Sequence, residues 1–396
     1  MSFGKSTYLS LILVAVGAGT YSNSLEGPFF YDDTLSIVEN DAVKKLWPPL
    51  WLTATMAPRK GLDGRPVVSF SLALNHAIDG LNVRGYHLVN IFVHILCSVV
   101  LFAVVRRTLL CAKLRRRFGS VAAGLAFFCA LIWLVHPLQS QGVNHIVRRG
   151  ELIVGLFYLL SLYCVIRFVG SDRSLWGGAA VLACLLGMGS KEVMVTAPLM
   201  AVLYDRVYLS SSWHQLFSRS WLYVALAMTW SILALLMSAN PHGHSIGFHG
   251  EISGWEYALN QCWVIVTYLQ HTFWPYLLIF DYGFPISPLS LGDVIPYALV
   301  VVALVFLTVV SLWYLPVLGF LGAWFFVILS PTSSFVPIVN EVGAERRMYL
   351  PSAALVVLVI VGGYLALRLV AKRFGWDEHA AAIGTVLVAL VAVAFV

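Results

Sequence analysis

The sequence predicts an all-α polytopic membrane protein, and three observations carry that prediction. Of its 396 residues, 60% are hydrophobic and only 11% are charged, whereas a soluble domain carries about 25% charged residues. Its apolar stretches run to roughly 17–22 residues, enough to cross a hydrocarbon core of about 30 Å. They are continuously apolar rather than alternating, which selects helices over a closed barrel, the other structure that satisfies its backbone in lipid.

The elements follow in chain order. Lys5 precedes an apolar run that reads as a retained first helix over residues 7–24 rather than a cleaved signal peptide. Residues 25–85, rich in Pro, Gly, Asp and Trp, read as a long loop. A second helix over 86–105 ends on Arg106, Arg107, Lys113, Arg115, Arg116 and Arg117, the densest basic cluster in the chain. Such a cluster marks the cytoplasmic side, so the N-terminus is expected inside and the long loop outside. Helices are expected at 119–135, 151–168, 175–189, 193–209 and 220–238, then at 293–312, 314–330, 351–371 and 380–396. Counting sides from each end of the chain puts both flanks of 255–275 outside, where a helix that crosses once cannot begin and end. That segment carries Glu256, Asn260, Gln261, Gln270 and His271 among aromatic residues. It is therefore expected to be re-entrant or interfacial. The count is about eleven spanning helices in one domain over 1–396, with external loops at 25–85, 239–292 and 331–350.

Charge and cysteine usage narrow the function. A net charge of +6 would suggest nucleic acid for a soluble chain, but here Lys and Arg gather at helix ends as topology signals, so no nucleic-acid partner is expected. The six cysteines lack metal-ligand spacing and suggest no disulfide framework.

The informative polar residues fall on the external side. Asp32 and Asp33 follow the first helix within Phe30-Tyr31-Asp32-Asp33. A carboxylate there could deprotonate an acceptor hydroxyl or simply cap a helix start. Arg65 precedes Pro66, and His87, Asn90 and His94 share one face of the second helix. That stripe suits interhelical hydrogen bonding, and a metal is left open. His136 precedes Arg148, Arg149 and Glu151, which open a helix on the side where basic residues are unexpected. Lys191-Glu192 and Glu345-Arg346-Arg347, ahead of Tyr349, repeat that anomaly. A phosphate at headgroup depth explains arginines there, because guanidinium binds phosphate bidentately. Ion pairs that merely pin helix ends are the plainer alternative.

The ordered set Tyr31-Asp32-Asp33, Arg65-Pro66, Gly85-Tyr86-His87-Leu88-Val89-Asn90, His136-Pro137, Arg148-Arg149-Gly150-Glu151, Lys191-Glu192 and Ala344-Glu345-Arg346-Arg347-Met348-Tyr349-Leu350-Pro351-Ser352 resembles the TMTC family. These are transmembrane and tetratricopeptide-repeat O-mannosyltransferases within the wider GT-C glycosyltransferase class. The resemblance implies a GT-C-like bundle and a polyprenyl-phosphate-linked sugar, mannose-like, as donor and co-substrate. The acceptor it implies is a hydroxyl of a protein or glycan, most directly Ser or Thr. Asp32 and Asp33 match the acidic motif of the first external loop and are the expected catalytic residues, Asp32 as base. Arg148, Arg149, Lys191, Arg346 and Arg347 are expected to bind the donor phosphate. Arg65, His87, Asn90, His94, His136, Glu151, Glu192, Glu345 and Tyr349 are expected in support. No cofactor is required, and a divalent cation is left open. Family members carry tetratricopeptide repeats after the membrane part, and the 396 residues contain none. The membrane is expected to be a bacterial inner membrane or that of the endoplasmic reticulum, with the active site on the external or lumenal face. The rival readings are a lipid-linked sugar transporter, which would show inverted repeats, and a non-catalytic scaffold.

Overall fold

The computed structural model describes residues 4–49, 64–171, 173–239, 253–279, 291–336, 341–375 and 380–395, together with 52, 62, 282 and 338. The longer helices are α1 (Lys5–Thr20), α2 (Pro66–Asp79), α3 (Val83–Leu109), α4 (Ala122–Val135), α5 (Arg149–Ser171), α6 (Ser174–Met188) and α7 (Ala197–Tyr204). They continue as α8 (Ser220–Met228), α9 (Trp230–Ala239), α10 (Gly254–Phe273), α11 (Leu291–Tyr314), α12 (Pro316–Leu329), α13 (Pro351–Phe374) and α14 (Ala380–Phe395). The chain is all-helical and an integral membrane protein, as its composition predicts.

Among the described residues, five helical stretches are long and apolar enough to cross a bilayer: 83–109, 146–171, 220–238, 292–314 and 351–374. A sixth is added if Ala122–Val135 and Pro137–Asn144, bent by 55°, form one span. Five or six of the expected eleven thus meet the test of length and composition among the described residues, and the count of eleven is not confirmed, the other apolar helices being shorter. The 20-residue α10 is not among them, because polar residues interrupt its apolar face.

Two local differences from the sequence reading have plain causes. The segment 25–85, expected as a loop, contains α2. Pro66 supplies a pre-set φ at the first helical position, and Gly80 closes the helix at φ 58, where glycine carries no steric penalty. The expected helix at 220–238 is interrupted at Thr229 between α8 and α9; the Thr229 hydroxyl turns back to the Leu226 carbonyl at 2.6 Å.

The core forms around α3, which packs on α1, α4 and α5. Close approach needs small residues: a Cβ on Gly17 would stand 2.7 Å from Ile95, and one on Gly155 would stand 2.5 Å from the Tyr349 ring. Trp133, wholly buried, donates its indole N–H to the Tyr349 carbonyl at 3.0 Å. With 27 residues, α3 is roughly 40 Å long at 1.5 Å per residue. Its start lies with the starts of α5 and α13 on one face, and its end lies on the opposite face with Arg115, Arg116 and Arg117.

Candidate functional site

The first face gathers the charges that the sequence scatters. Asp32 pairs with Arg148 at 2.7 Å, and Arg65 with Glu192 at 3.1 Å. Glu151 Oε1 receives Lys191 Nζ in a short ion pair and stands 3.5 Å from Arg346 Nε. Arg346 also pairs closely with Glu341. Five stretches far apart in sequence, around residues 32, 65, 148–151, 191–192 and 341–346, thus bring neighbouring ion pairs into one network, in which Arg148 interacts electrostatically with Glu151, Glu341 and Arg346, and Lys191 with Arg65 and Glu192. It is largely buried: the side chains of Lys191, Glu151 and Arg346 are each less than a tenth exposed.

The two aspartates differ. The Asp32 side chain is 39% exposed. Asp33 is buried, and its carboxylate accepts from the Val147 N–H at 2.7 Å and the Phe30 N–H at 3.2 Å. It splints the loop at 30–33 to the start of α5, while His145 donates to the Phe30 carbonyl at 3.1 Å. That splint holds Tyr31 at φ 53, a left-handed conformation costly for a side chain of this size. Asp32 is presented beside Arg148 as a result.

Each arginine doublet also splits. Arg149 is wholly buried and donates to Asn90 Oδ1 at 2.7 Å, the Tyr86 carbonyl at 2.9 Å and the Ser71 carbonyl at 3.2 Å. Arg347 donates to the carbonyls of Glu341 at 2.5 Å, Thr332 at 2.9 Å and Val342 at 3.1 Å. Both guanidinium groups are spent within the protein, mostly on backbone carbonyls. Arg148 Nε and Arg346 Nη1, by contrast, are buried N–H donors without a protein acceptor. The cause is helical geometry: Arg346 and Arg347 lie in a 3-10 turn and Arg148 ends another just before α5, so successive residues point roughly 100–120° apart and two adjacent arginines do not face the same ligand.

The supporting residues tie the helices under this network. His94 bridges the Leu134 carbonyl at 3.0 Å and the Tyr349 hydroxyl at 2.8 Å. His87 meets the Gly27 carbonyl at 3.0 Å, and Asn90 donates to the Val143 carbonyl at 3.2 Å. His136 reaches the Thr272 carbonyl at 3.0 Å. Tyr257, Gln261 and Tyr268 of α10 donate to the carbonyls of Thr332, Val342 and Ala344. Thr332, Val342 and Ala344 are therefore held along 11 residues of α10, roughly 16 Å of helix. Among the described residues, no group of three or more His, Cys, Asp or Glu side chains stands together as a metal site.

Glu341 escaped the sequence reading, although it lies four residues before Glu345-Arg346-Arg347. Burial pushes its carboxyl up, but Arg346 and Arg347 outweigh burial and hold it at about 2. Arg65 and Lys191 likewise overcome burial at Glu192, which sits at about 2. Glu345 shows the reverse. Burial raises it to about 7, despite hydrogen bonds from the Ile279 N–H at 2.7 Å and the Tyr282 hydroxyl at 3.4 Å.

A raised folded-state pKa gives stability that is complete below the unfolded value and lost as pH rises through the folded one. Glu345 therefore stabilises the fold fully below 4.5, and that contribution disappears as pH rises to about 7. Relative to Glu345→Gln, the wild type should lose about 3 kcal/mol across this window. Melting of both proteins in detergent against pH measures the difference, and parallel curves would remove the assignment.

Helices of membrane length and a largely buried ionic network on one face define the class: an integral membrane protein with a charged site at one end of its bundle. Comparison with known proteins makes the likeness specific. The chain is 30% identical to the mouse protein O-mannosyl-transferase TMTC2 over 210 residues, 49% of this chain and 23% of that protein. It is 27% identical to human protein O-mannosyl-transferase TMTC3 over 204 residues, 49% of this chain and 21% of the relative. For the Drosophila melanogaster Tmtc1 protein the figures are 30% over 194 residues, 47% and 21%. This bears out the resemblance to TMTC proteins carried by the motifs. The chain spans less than a quarter of the length of these relatives. No family model and no solved structure matches it.

Proposed function

We propose that this chain is a membrane glycosyltransferase that moves a mannose-like sugar from a polyprenyl-phosphate donor to a hydroxyl of a protein acceptor. One observation carries the reading. Asp32, Arg148, Glu151, Lys191, Glu341 and Arg346 meet in a single network that still has buried N–H donors to offer. Such donors are expensive to leave unmatched, and a phosphate oxygen would match them.

Asp32 takes the proton of the acceptor hydroxyl. The acceptor oxygen attacks the anomeric carbon as the bond from that carbon to the phosphate oxygen breaks, which inverts the configuration. Polyprenyl phosphate leaves with the bonding electron pair. Arg148, Arg346 and Lys191 face its growing charge in a site already organised for it. Arg149, Arg347 and Asp33 position these groups. An apolar cleft of about 590 Å³ between α4, α13 and α14 ends at His136 and Thr272. Next to Thr272 is His271, whose ring lies 3.3 Å from Glu345. The cleft can take the isoprenoid chain while the phosphate sits near Arg346.

The test is transfer by the purified protein in nanodiscs, with polyprenyl-phosphate mannose and a Ser/Thr peptide. Inverted mannosyl peptide is expected. Protein-dependent lipid flux without any glycosylated product would replace the reading with a transporter. Arg346→Met should raise the donor KM roughly 10–100-fold, the worth of a charged hydrogen bond, and an unchanged KM would remove Arg346 from the phosphate site.

A further inference from the structure

A second cleft lies under the opposite, basic face, away from the ionic network. It holds about 450 Å³ between α3, α12 and α13. Leu109, Arg117 and Pro316 mark its basic end, and Trp324 and Ala353 its far end. It follows α13 from Ala353 to Leu365, a rise of roughly 18 Å at 1.5 Å per residue. That length suits one extended acyl chain. The walls are mostly apolar, apart from Arg117, Thr108 and Tyr204, whose two hydroxyls meet at 2.5 Å, and the tyrosines Tyr208 and Tyr314. Gly362 lines the cleft, and a Cβ added there would meet nothing within 4 Å.

The rim has a charge to match. Arg115, Arg116 and Arg117 form one exposed helical turn. Among the described residues, none of the three forms an ion pair with a carboxylate. The nearby Asp205 is buried and committed to Arg219 at 3.2 Å and Ser210 at 2.7 Å. Lys113 is likewise occupied, donating to the Val207 and Ser210 carbonyls at 2.7 and 2.8 Å. Basic residues at a helix end follow from topology alone. An acyl-length cleft opening directly beneath them does not.

We infer that this cleft and its arginine rim bind an anionic phospholipid, one chain along α13 and the headgroup phosphate on Arg115, Arg116 and Arg117. The inference does not depend on the transfer chemistry at the other face. Its test uses the full chain in nanodiscs of phosphatidylcholine, with or without phosphatidylglycerol. Lipid retention is read by native mass spectrometry, and stability by the melting midpoint.

Phosphatidylglycerol should be retained and should raise the midpoint above that in phosphatidylcholine alone. Replacing the three arginines by Gln should weaken retention roughly 100-fold, about fivefold for each basic residue at a headgroup surface. Gly362→Leu, which fills the cleft and suits a helix, should abolish the increment with the arginines intact. Equal effects of the two lipids would overturn the inference. So would loss in the arginine variant alone, which marks plain surface attraction, or loss in Gly362→Leu alone, which removes the rim's role.

Discussion

Asp32→Asn is expected to lower kcat for sugar transfer by about 10²–10⁴, the range over which a positioned general base acts, and to leave the melting midpoint nearly unchanged. The small stability effect follows from exposure. Asp32 is 39% exposed and its pair with Arg148 is open to solvent on the carboxylate side, so the pair contributes little to folding. Asn keeps an oxygen for Arg148 but cannot accept the acceptor's proton. Asp33→Asn should behave differently. Asp33 uses its carboxylate to accept two backbone N–H groups in a buried setting, and an amide offers only one oxygen. The unmatched N–H would cost about 1–3 kcal/mol and would let the loop at 30–33 move, so activity and stability would fall together. Single-turnover transfer assays and melting curves on both variants separate the roles. Wild-type kcat in Asp32→Asn would remove it as base. A pure kcat defect in Asp33→Asn, with stability intact, would exchange the two assignments.

The sequence made the bundle legible, because continuous apolar runs and basic clusters are local signals. Most expected helices stand within a few residues of their observed bounds, and α10 was set apart by the count of sides together with polar residues such as Glu256, Asn260 and Gln261. Helix α2 was missed because its flanking Pro, Gly and Asp residues read as loop, although Pro66 and Gly80 are start and stop signals. The ionic network was legible as an anomaly, arginines where topology disfavours them. The division of labour within it was not. Nothing in the string Arg148-Arg149 or Arg346-Arg347 says which guanidinium meets a ligand and which meets backbone carbonyls; that depends on how the elements pack. Glu341 was missed for the same reason, since its role is defined by the arginines it folds back upon.

That division yields the other large effect, and it falls on stability. Arg149→Met should destabilise the protein by about 3–5 kcal/mol, because each buried neutral acceptor that loses its charged donor costs about 1–3 kcal/mol. Three acceptors lose their donor at once: Asn90 Oδ1 and the carbonyls of Tyr86 and Ser71. They belong to α3 and α2, so the same change unpins both helices from the start of α5. Arg149→Lys should rescue little, because an ammonium on a flexible stem does not reproduce the planar fork that spans three acceptors. Arg346→Met is the control. It removes a cation of the same network that still has a free N–H, so its loss should fall on donor binding instead. Denaturation of the three variants in matched detergent, alongside donor KM, reads both axes. If Arg149→Met melted like the wild type and bound donor weakly, Arg149 would face the ligand after all, and the split within each doublet would be wrong.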